Sequence, residues 1–258
     1  SLLQFIPSLL SRGGIVWIDE PTYNEHRPAW EAAGHQVITG DANLGKAQSA
    51  VIVAPNNPTG KFVHDAIMAT AKQTAATGGI MLIDGAFAMP AAADPAAGDL
   101  LGALVAFPHV VHIRSFGKFF GMAGLRLGFA IGAAVHMDQL QRCVGPWAVS
   151  SVALDIGNTA LNDTVWQAQH SQFLRQQTEQ LQMVLTRANL KILGGTTLFQ
   201  TVKTSRANHL HDHLAKAAIW TRKFSQMPDL LRFGVPANEA DFARLSESLN
   251  NWRHKANQ

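Results

Sequence analysis

A serine, a lysine and an arginine stand at positions 115, 118 and 126 of a stretch, RSFGKFFGMAGLRLGF (114–129), that is otherwise apolar and rich in glycine. A lysine in such surroundings is a poor surface residue, and burial lowers the pKa of an amine toward the neutral form that attacks carbonyls. Lys118 is therefore a Schiff-base candidate. The plain alternative is a lysine at a helix end that snorkels to water. Ser115, three residues earlier, and Arg126, eight later, shift the balance. A hydroxyl and a guanidinium can bracket an anion beside the amine, provided that the segment between them turns back. Gly117, Gly121, Gly124 and Gly128 permit that turn. Their spacing matches neither the dinucleotide fingerprint nor the phosphate loop of nucleotide-hydrolysing enzymes.

Such residues need a frame, and short β-branched runs supply one. GGIVWIDEP (13–21), SAVIVAPNNP (49–58), GIMLIDG (79–85) and HVVHIRS (109–115) each end in polar or turn-forming residues and read as buried strands. YNEHRPAWEAAG and HDAIMATAKQTAATG between them read as helices, so strand and helix alternate as in a parallel α/β sheet. Ligands of such sheets lie beyond the carboxyl ends of the strands. That rule alone selects Pro21 to His26 after the first strand, Asn57 after the second, Asp84 at the end of the third, and Ser115 with Lys118 after the fourth.

Past residue 160 the texture changes. TVWQAQHSQFLRQQTEQLQMVLTRANL is a long glutamine-rich amphipathic helix without glycine or proline. TTLFQTV, a helix near 208–217, AIWTRKF, LLRFG and a last helix from about 238 then make a small α+β unit. The expected division is a large domain over 1–160 and a bridging helix with a small C-terminal domain over 161–258.

Bulk properties exclude several roles. The 258 residues are 47% hydrophobic and 15% charged, a globular composition, and the net charge of +3 is spread without a basic stripe, which argues against a nucleic-acid partner. No apolar run approaches a bilayer span, so no membrane association is expected. The single cysteine, Cys143, makes no internal disulfide, which suits the cytoplasm. His109 and His112 point to opposite faces of a strand, and neither they nor HLHDH (209–213) have a cysteine or carboxylate cluster to complete a metal site. Ser150 and Ser151 lack the G-x-S-x-G context of a serine hydrolase.

NNPTG (56–60), DGAF (84–87) and SFGKFFGMAGLRLGF (115–129), in that order, resemble the fold type I pyridoxal-phosphate enzymes of the aspartate aminotransferase superfamily. The resemblance implies pyridoxal 5'-phosphate as cofactor, bound covalently by Lys118, its phosphate held by Ser115 and Arg126. It implies that Asp84 pairs with the protonated pyridine nitrogen and that Asn57 donates to the ring's phenolic oxygen. PTYNEH (21–26) looks like the element that stacks an aromatic residue on the pyridine, which assigns Tyr23 to the ring face and His26 to the position behind Asp84. LRFG (231–234) resembles the segment whose arginine grips the substrate's α-carboxylate, which assigns that clamp to Arg232.

Finer texture narrows the branch. RSFGKFFGMAGLRLGFAIG, GPWAVSSVAL (145–154), IWTRKF and LRFGVP are similar to the threonine-phosphate decarboxylases of cobalamin synthesis, relatives of the histidinol-phosphate aminotransferases. Phe87 stands where the aminotransferases commonly carry tyrosine. The implied reaction is decarboxylation of L-threonine O-3-phosphate to (R)-1-amino-2-propanol O-2-phosphate, with aminotransfer as the alternative and a non-catalytic or truncated relative as a third. The family also implies a homodimer and a further N-terminal segment, about 60 to 90 residues by typical domain sizes, ahead of SLLQFIPSLL.

Overall fold

The computed structural model describes residues 2–91, 93–104 and 106–256. The chain forms two compact units, one made of the residues up to Asn57 with Lys61–Gln167, the other of Pro58–Gly60 with Ala168 onward.

The first unit holds a six-stranded sheet in the order β2-β1-β3-β4-β5-β6. Its strands are β1 (Ile15–Ile18), β2 (Gln36–Ile38), β3 (Ser49–Val53), β4 (Met81–Asp84), β5 (Val110–Ser115) and β6 (Gly128–Ile131). The first five pair in parallel and β6 runs antiparallel to β5. The mostly parallel sheet with flanking helices is the expected α/β fold. Parallel strands are covered on both faces, so their sequences are continuously apolar rather than alternating. The helices of this unit are α1 (Leu2–Phe5), α2 (His26–Ala32), α3 (His64–Ala76), α4 (Pro95–Leu104), α5 (Ala134–Val144) and α6 (Ser151–Asn162). On one face Ala50, Ile52, Met81, Ile83 and Val110 pack with Ile67 and Ala71 of α3 and Leu100 and Leu104 of α4. On the other, Val16, Ile18, Val51, Leu82, Val111 and Ile113 pack with Ile6, Trp30 of α2 and Leu140 of α5. Ser150, a serine without a hydrolase setting, is a helix cap: its Oγ accepts from the Ala153 N–H at 3.1 Å.

Two strands of this sheet depart from the expectation of four. β2 is three residues long, too short for its pattern to stand out. β6 begins at Gly128 inside the glycine-rich stretch, where periodicity is broken.

Helix α7 (Thr164–Arg187) begins in the first unit, capped by Asp163, whose Oδ1 accepts from the Trp166 N–H at 2.9 Å. Most of it belongs to the second unit, with β7 (Lys191–Thr196), β8 (Phe199–Lys203), α8 (Ala207–Lys216), β9 (Arg222–Lys223), β10 (Leu230–Gly234) and α9 (Glu239–Ala256). The four strands form an antiparallel sheet ordered β7-β8-β10-β9. Leu181 and Leu185 of α7, Leu210 and Leu214 of α8, and Phe242, Leu245 and Leu249 of α9 cover Val202, Leu231 and Phe233.

TTLFQTV straddles a hairpin, β7 ending at Thr196 and β8 starting at Phe199. The glycines in KILGGT conceal β7, and the structure shows why they are there. A Cβ on Gly194 would collide with the Thr59 carbonyl, and one on Gly60, whose φ is +73°, would collide with Gly195. The short Pro58–Gly60 segment is thus pressed backbone to backbone against β7, and Thr201 Oγ1 donates to the Pro58 carbonyl at 2.6 Å.

Candidate active site

β1, β3, β4 and β5 end at one edge of the first unit's sheet, and the residues chosen from the sequence gather along it. Asp84 closes β4 and is only 3% exposed. His26, the first residue of α2 and 1% exposed, donates from Nε2 to Asp84 Oδ2 at 3.0 Å. The other carboxylate oxygen, Oδ1, accepts from the Ala86 N–H at 2.9 Å. Each carboxylate oxygen has two lone pairs, so the group is fixed in place and still able to accept a further donor. The Tyr23 ring meets His26 edge to face, centroids 5.9 Å apart. Between Pro21 and Tyr23, the Thr22 hydroxyl is buried without a partner.

After β3 the two asparagines divide their work. Asn56 is buried and donates from Nδ2 to the Pro21 carbonyl at 3.1 Å, tying the loop after β3 to the loop after β1. Asn57 is half-buried. The sequence singled out Asn57 alone; the doubled asparagine at a strand end was the available sign of Asn56.

The stretch beyond β5 does turn back. Phe116 N–H donates to the Leu127 carbonyl at 3.2 Å and Met122 N–H to the Phe116 carbonyl at 3.0 Å, while Ser115 pairs with Gly128 across β5 and β6. Ser115 and Arg126 are thereby brought to the same edge. Ser115 Oγ accepts from the Gly117 N–H at 3.1 Å, which leaves its own proton to donate. Arg126 donates from Nη1 to the Ala123 carbonyl at 3.1 Å and is exposed. Its φ of +56° is left-handed, a conformation uncommon for a residue with a Cβ.

Lys118 corrects the expectation of burial. It is exposed, because Phe116 and Phe119, each 2% exposed, take the inward positions on either side of it. Its Nζ stands 5.3 Å from the centre of the Phe87 ring, a cation–π contact with the turn that follows Asp84.

That turn rests on β5. A Cβ on Gly85 would come within 2.5 Å of His112 Nε2, so the imidazole occupies the space a side chain would need. Two residues on, Arg114 Nη2 donates to the carbonyls of Ala88 at 3.1 Å and Met89 at 2.6 Å. Burial pushes His112 down to about 3, helped by Arg114 and opposed by Asp84. The unfolded imidazole titrates near 6.5, so between these values the unfolded chain binds the proton and the folded one does not. Stability is full above about pH 6.5 and falls on acidification by up to ~1.4 kcal/mol per pH unit. In His112→Gln, urea midpoints measured from pH 7 to pH 5 are expected to fall less steeply; parallel curves would refute this.

In the second unit Arg232 sits in the middle of β10, paired with Thr201 of β8 and with Arg222 of β9. Paired residues of adjacent strands share a sheet face, so both arginine side chains leave the sheet on the same side. The Arg232 guanidinium lies 4.9 Å from the Phe199 ring centre and 6.0 Å from that of Phe224. Burial, then the neighbouring charge of Arg222, lowers it to about 10.

Three of the other histidines make hydrogen bonds inside their own units. His109 Nε2 is 3.0 Å from both Thr74 Oγ1 and the Ala71 carbonyl, His211 Nδ1 is 2.8 Å from Thr221 Oγ1, and His213 Nε2 is 2.9 Å from the Ser248 carbonyl. Among the described residues no three of His, Cys, Asp and Glu converge as metal ligands, and no helix is long and apolar enough to cross a membrane.

Comparison with known proteins gives the family. The sequence model of the family described as aminotransferase class I and II matches residues 1–249, and the chain belongs to that family. Within it, the chain is 37% identical to the threonine-phosphate decarboxylase of Pseudomonas aeruginosa, over 99% of this chain and 77% of that protein. It is 37% identical also to the threonine-phosphate decarboxylase of a Sinorhizobium species, over 96% of this chain and 74% of that one. Among solved structures, the histidinol-phosphate aminotransferase of Clostridium acetobutylicum superposes with a TM-score of 0.88 at 17% identity, covering 98% of this chain and 81% of that one, a likeness of fold.

Proposed function

We propose that the chain is a pyridoxal-phosphate-dependent decarboxylase that converts L-threonine O-3-phosphate to (R)-1-amino-2-propanol O-2-phosphate and carbon dioxide in cobalamin synthesis. The observation that carries this reading is the 37% identity to two threonine-phosphate decarboxylases along nearly the whole chain. Phe87, beside Lys118 rather than a tyrosine, favours it over aminotransfer.

The residues present fit the cofactor. Asp84 is a buried, fixed carboxylate with accepting capacity to spare. Ser115 and Arg126 offer donors at the edge where a phosphate would lie, Asn57 a donor to the phenolic oxygen, and Tyr23 a ring face. When bound, pyridoxal phosphate supplies an electron-accepting ring that takes up the pair left on Cα as the carboxylate departs.

The protein's own tasks follow. Lys118 would hold the cofactor covalently at rest, and its Nζ would return the proton that replaces the lost carboxylate at Cα. Asp84, kept in position by His26, retains a proton on the ring nitrogen. Arg232 would grip the substrate's carboxylate and so orient the bonds at Cα. Arg222, paired beside it, adds a second cation for a substrate that carries both carboxylate and phosphate.

The test offers threonine phosphate to the pyridoxal-phosphate-loaded protein, with and without a 2-oxo acid. Release of carbon dioxide without any 2-oxo product is expected; formation of a 2-oxo acid in place of carbon dioxide would establish aminotransfer. In Arg232→Ala the KM for threonine phosphate is expected to rise about 10- to 100-fold, the loss of a charge-assisted bidentate contact. An unchanged KM would remove the clamp.

We also propose a homodimer. Trp147 is 96% exposed, and Val152 and Leu154 on α6 are 66% and 51% exposed, an apolar surface suited to a second copy. Light scattering at micromolar concentration is expected to give twice the chain mass, and a monomer would exclude the assembly.

A further inference from the structure

We propose that Arg114 is a positioning residue that sets the Phe87 ring against the Lys118 amine. The inference rests on the reading of Lys118 as the reacting amine.

The turn from Gly85 to Met89 is supported from below by one face of β5. His112 packs beneath Gly85, and Arg114 reaches beneath Ala88 and Met89 with a single nitrogen, Nη2, shared between the two carbonyls. Within the turn, the Ala86 N–H is held by Asp84 Oδ1 and the Ala88 N–H by the Gly85 carbonyl at 3.0 Å. Phe87 is the residue between these anchors, and its ring is the one 5.3 Å from Lys118 Nζ.

Neither carbonyl carries a formal charge, so a guanidinium used in this way bears a desolvation cost that neutral acceptors offset only in part. Burial lowers the Arg114 pKa, and Asp94 opposes that from the loop before α4. A neutral side chain could fill the same space without that cost. What the guanidinium adds is a fixed planar donor group able to hold two carbonyls at once, and with them the end of the turn nearest Phe87. The aromatic face attracts the ammonium and covers one side of it. Arg114 therefore acts on Lys118 through Phe87, without touching it.

The test measures acetylation of Lys118 by acetic anhydride in the cofactor-free chain, read by peptide mass spectrometry. Four proteins are compared: the parent, Arg114→Met, Phe87→Ala and the double variant. Each single variant is expected to be acetylated about 2- to 5-fold faster at residue 118, the size of an exposed cation–π contact. The double variant is expected to be no faster than Phe87→Ala alone, because both changes break one linkage. Multiplied effects in the double variant, or no effect of Arg114→Met, would overturn the proposal. Should Arg114→Met fail to fold, Arg114→Lys carries the same cycle, and its rate should lie between those of the parent and Phe87→Ala. Trapping of pyridoxal phosphate on Lys118 by borohydride is scored separately. Its absence in the parent sinks the functional reading and leaves the acetylation cycle to judge Arg114.

Discussion

Lys118→Ala is expected to yield a folded protein that no longer turns yellow with pyridoxal phosphate, incorporates no borohydride-fixed label at position 118, and loses decarboxylation by at least about 10^3-fold. The size follows from losing two functions of one atom, covalent attachment and proton delivery, the second alone being worth about 10^2 to 10^4. The fold is spared because the side chain is exposed while Phe116 and Phe119 carry the packing on either side. Exposed substitutions of this kind stay within about 0.5 kcal/mol. Circular dichroism and melting should therefore match the parent while absorbance beyond 400 nm disappears. A variant that stays yellow after exhaustive dialysis, or one that turns over at the parent's rate, would show that another amine does the work.

Asp84→Asn separates two roles that Asp84→Ala confounds. In the alanine variant the buried His26 Nε2–H and the Ala86 N–H both lose their acceptor. An unsatisfied buried group costs about 1–3 kcal/mol, so lower stability accompanies lower activity. Asparagine keeps the shape and one accepting oxygen but no negative charge. Its expected result is a smaller loss of stability with decarboxylation reduced about 10^2- to 10^4-fold, because a neutral amide no longer favours a protonated ring nitrogen. If Asp84→Asn were as active as the parent, the ring-nitrogen role would fall while the structural pairing with His26 stood.

The sequence exposed the frame of the first unit because buried parallel strands leave short β-branched runs. The last residues of those runs, Asp84 and Ser115 among them, were legible as edge residues for the same reason. Lys118 was misread because composition describes a window and burial depends on direction: its aromatic neighbours point inward and it does not. β6 and β7 escaped notice where glycines erase periodicity, at Gly128 and at Gly194 with Gly195. Arg114 and His112 lay in plain view within HVVHIRS, but their work is done on a turn more than twenty residues away in sequence, and only the register of β4 and β5 brings them under it. The family resemblance supplied the residue roles; geometry supplied the supports that hold those residues.

Arg126 is left-handed at φ +56°, where a side chain with a Cβ costs about 1–2 kcal/mol and glycine almost nothing. If Arg126 holds the cofactor's phosphate as proposed, heat tolerance and turnover pull this position in opposite directions. A library screened only for surviving high temperature should drift to glycine there and fade in colour, whereas cells made to depend on the product should hold on to arginine and tolerate the softer fold.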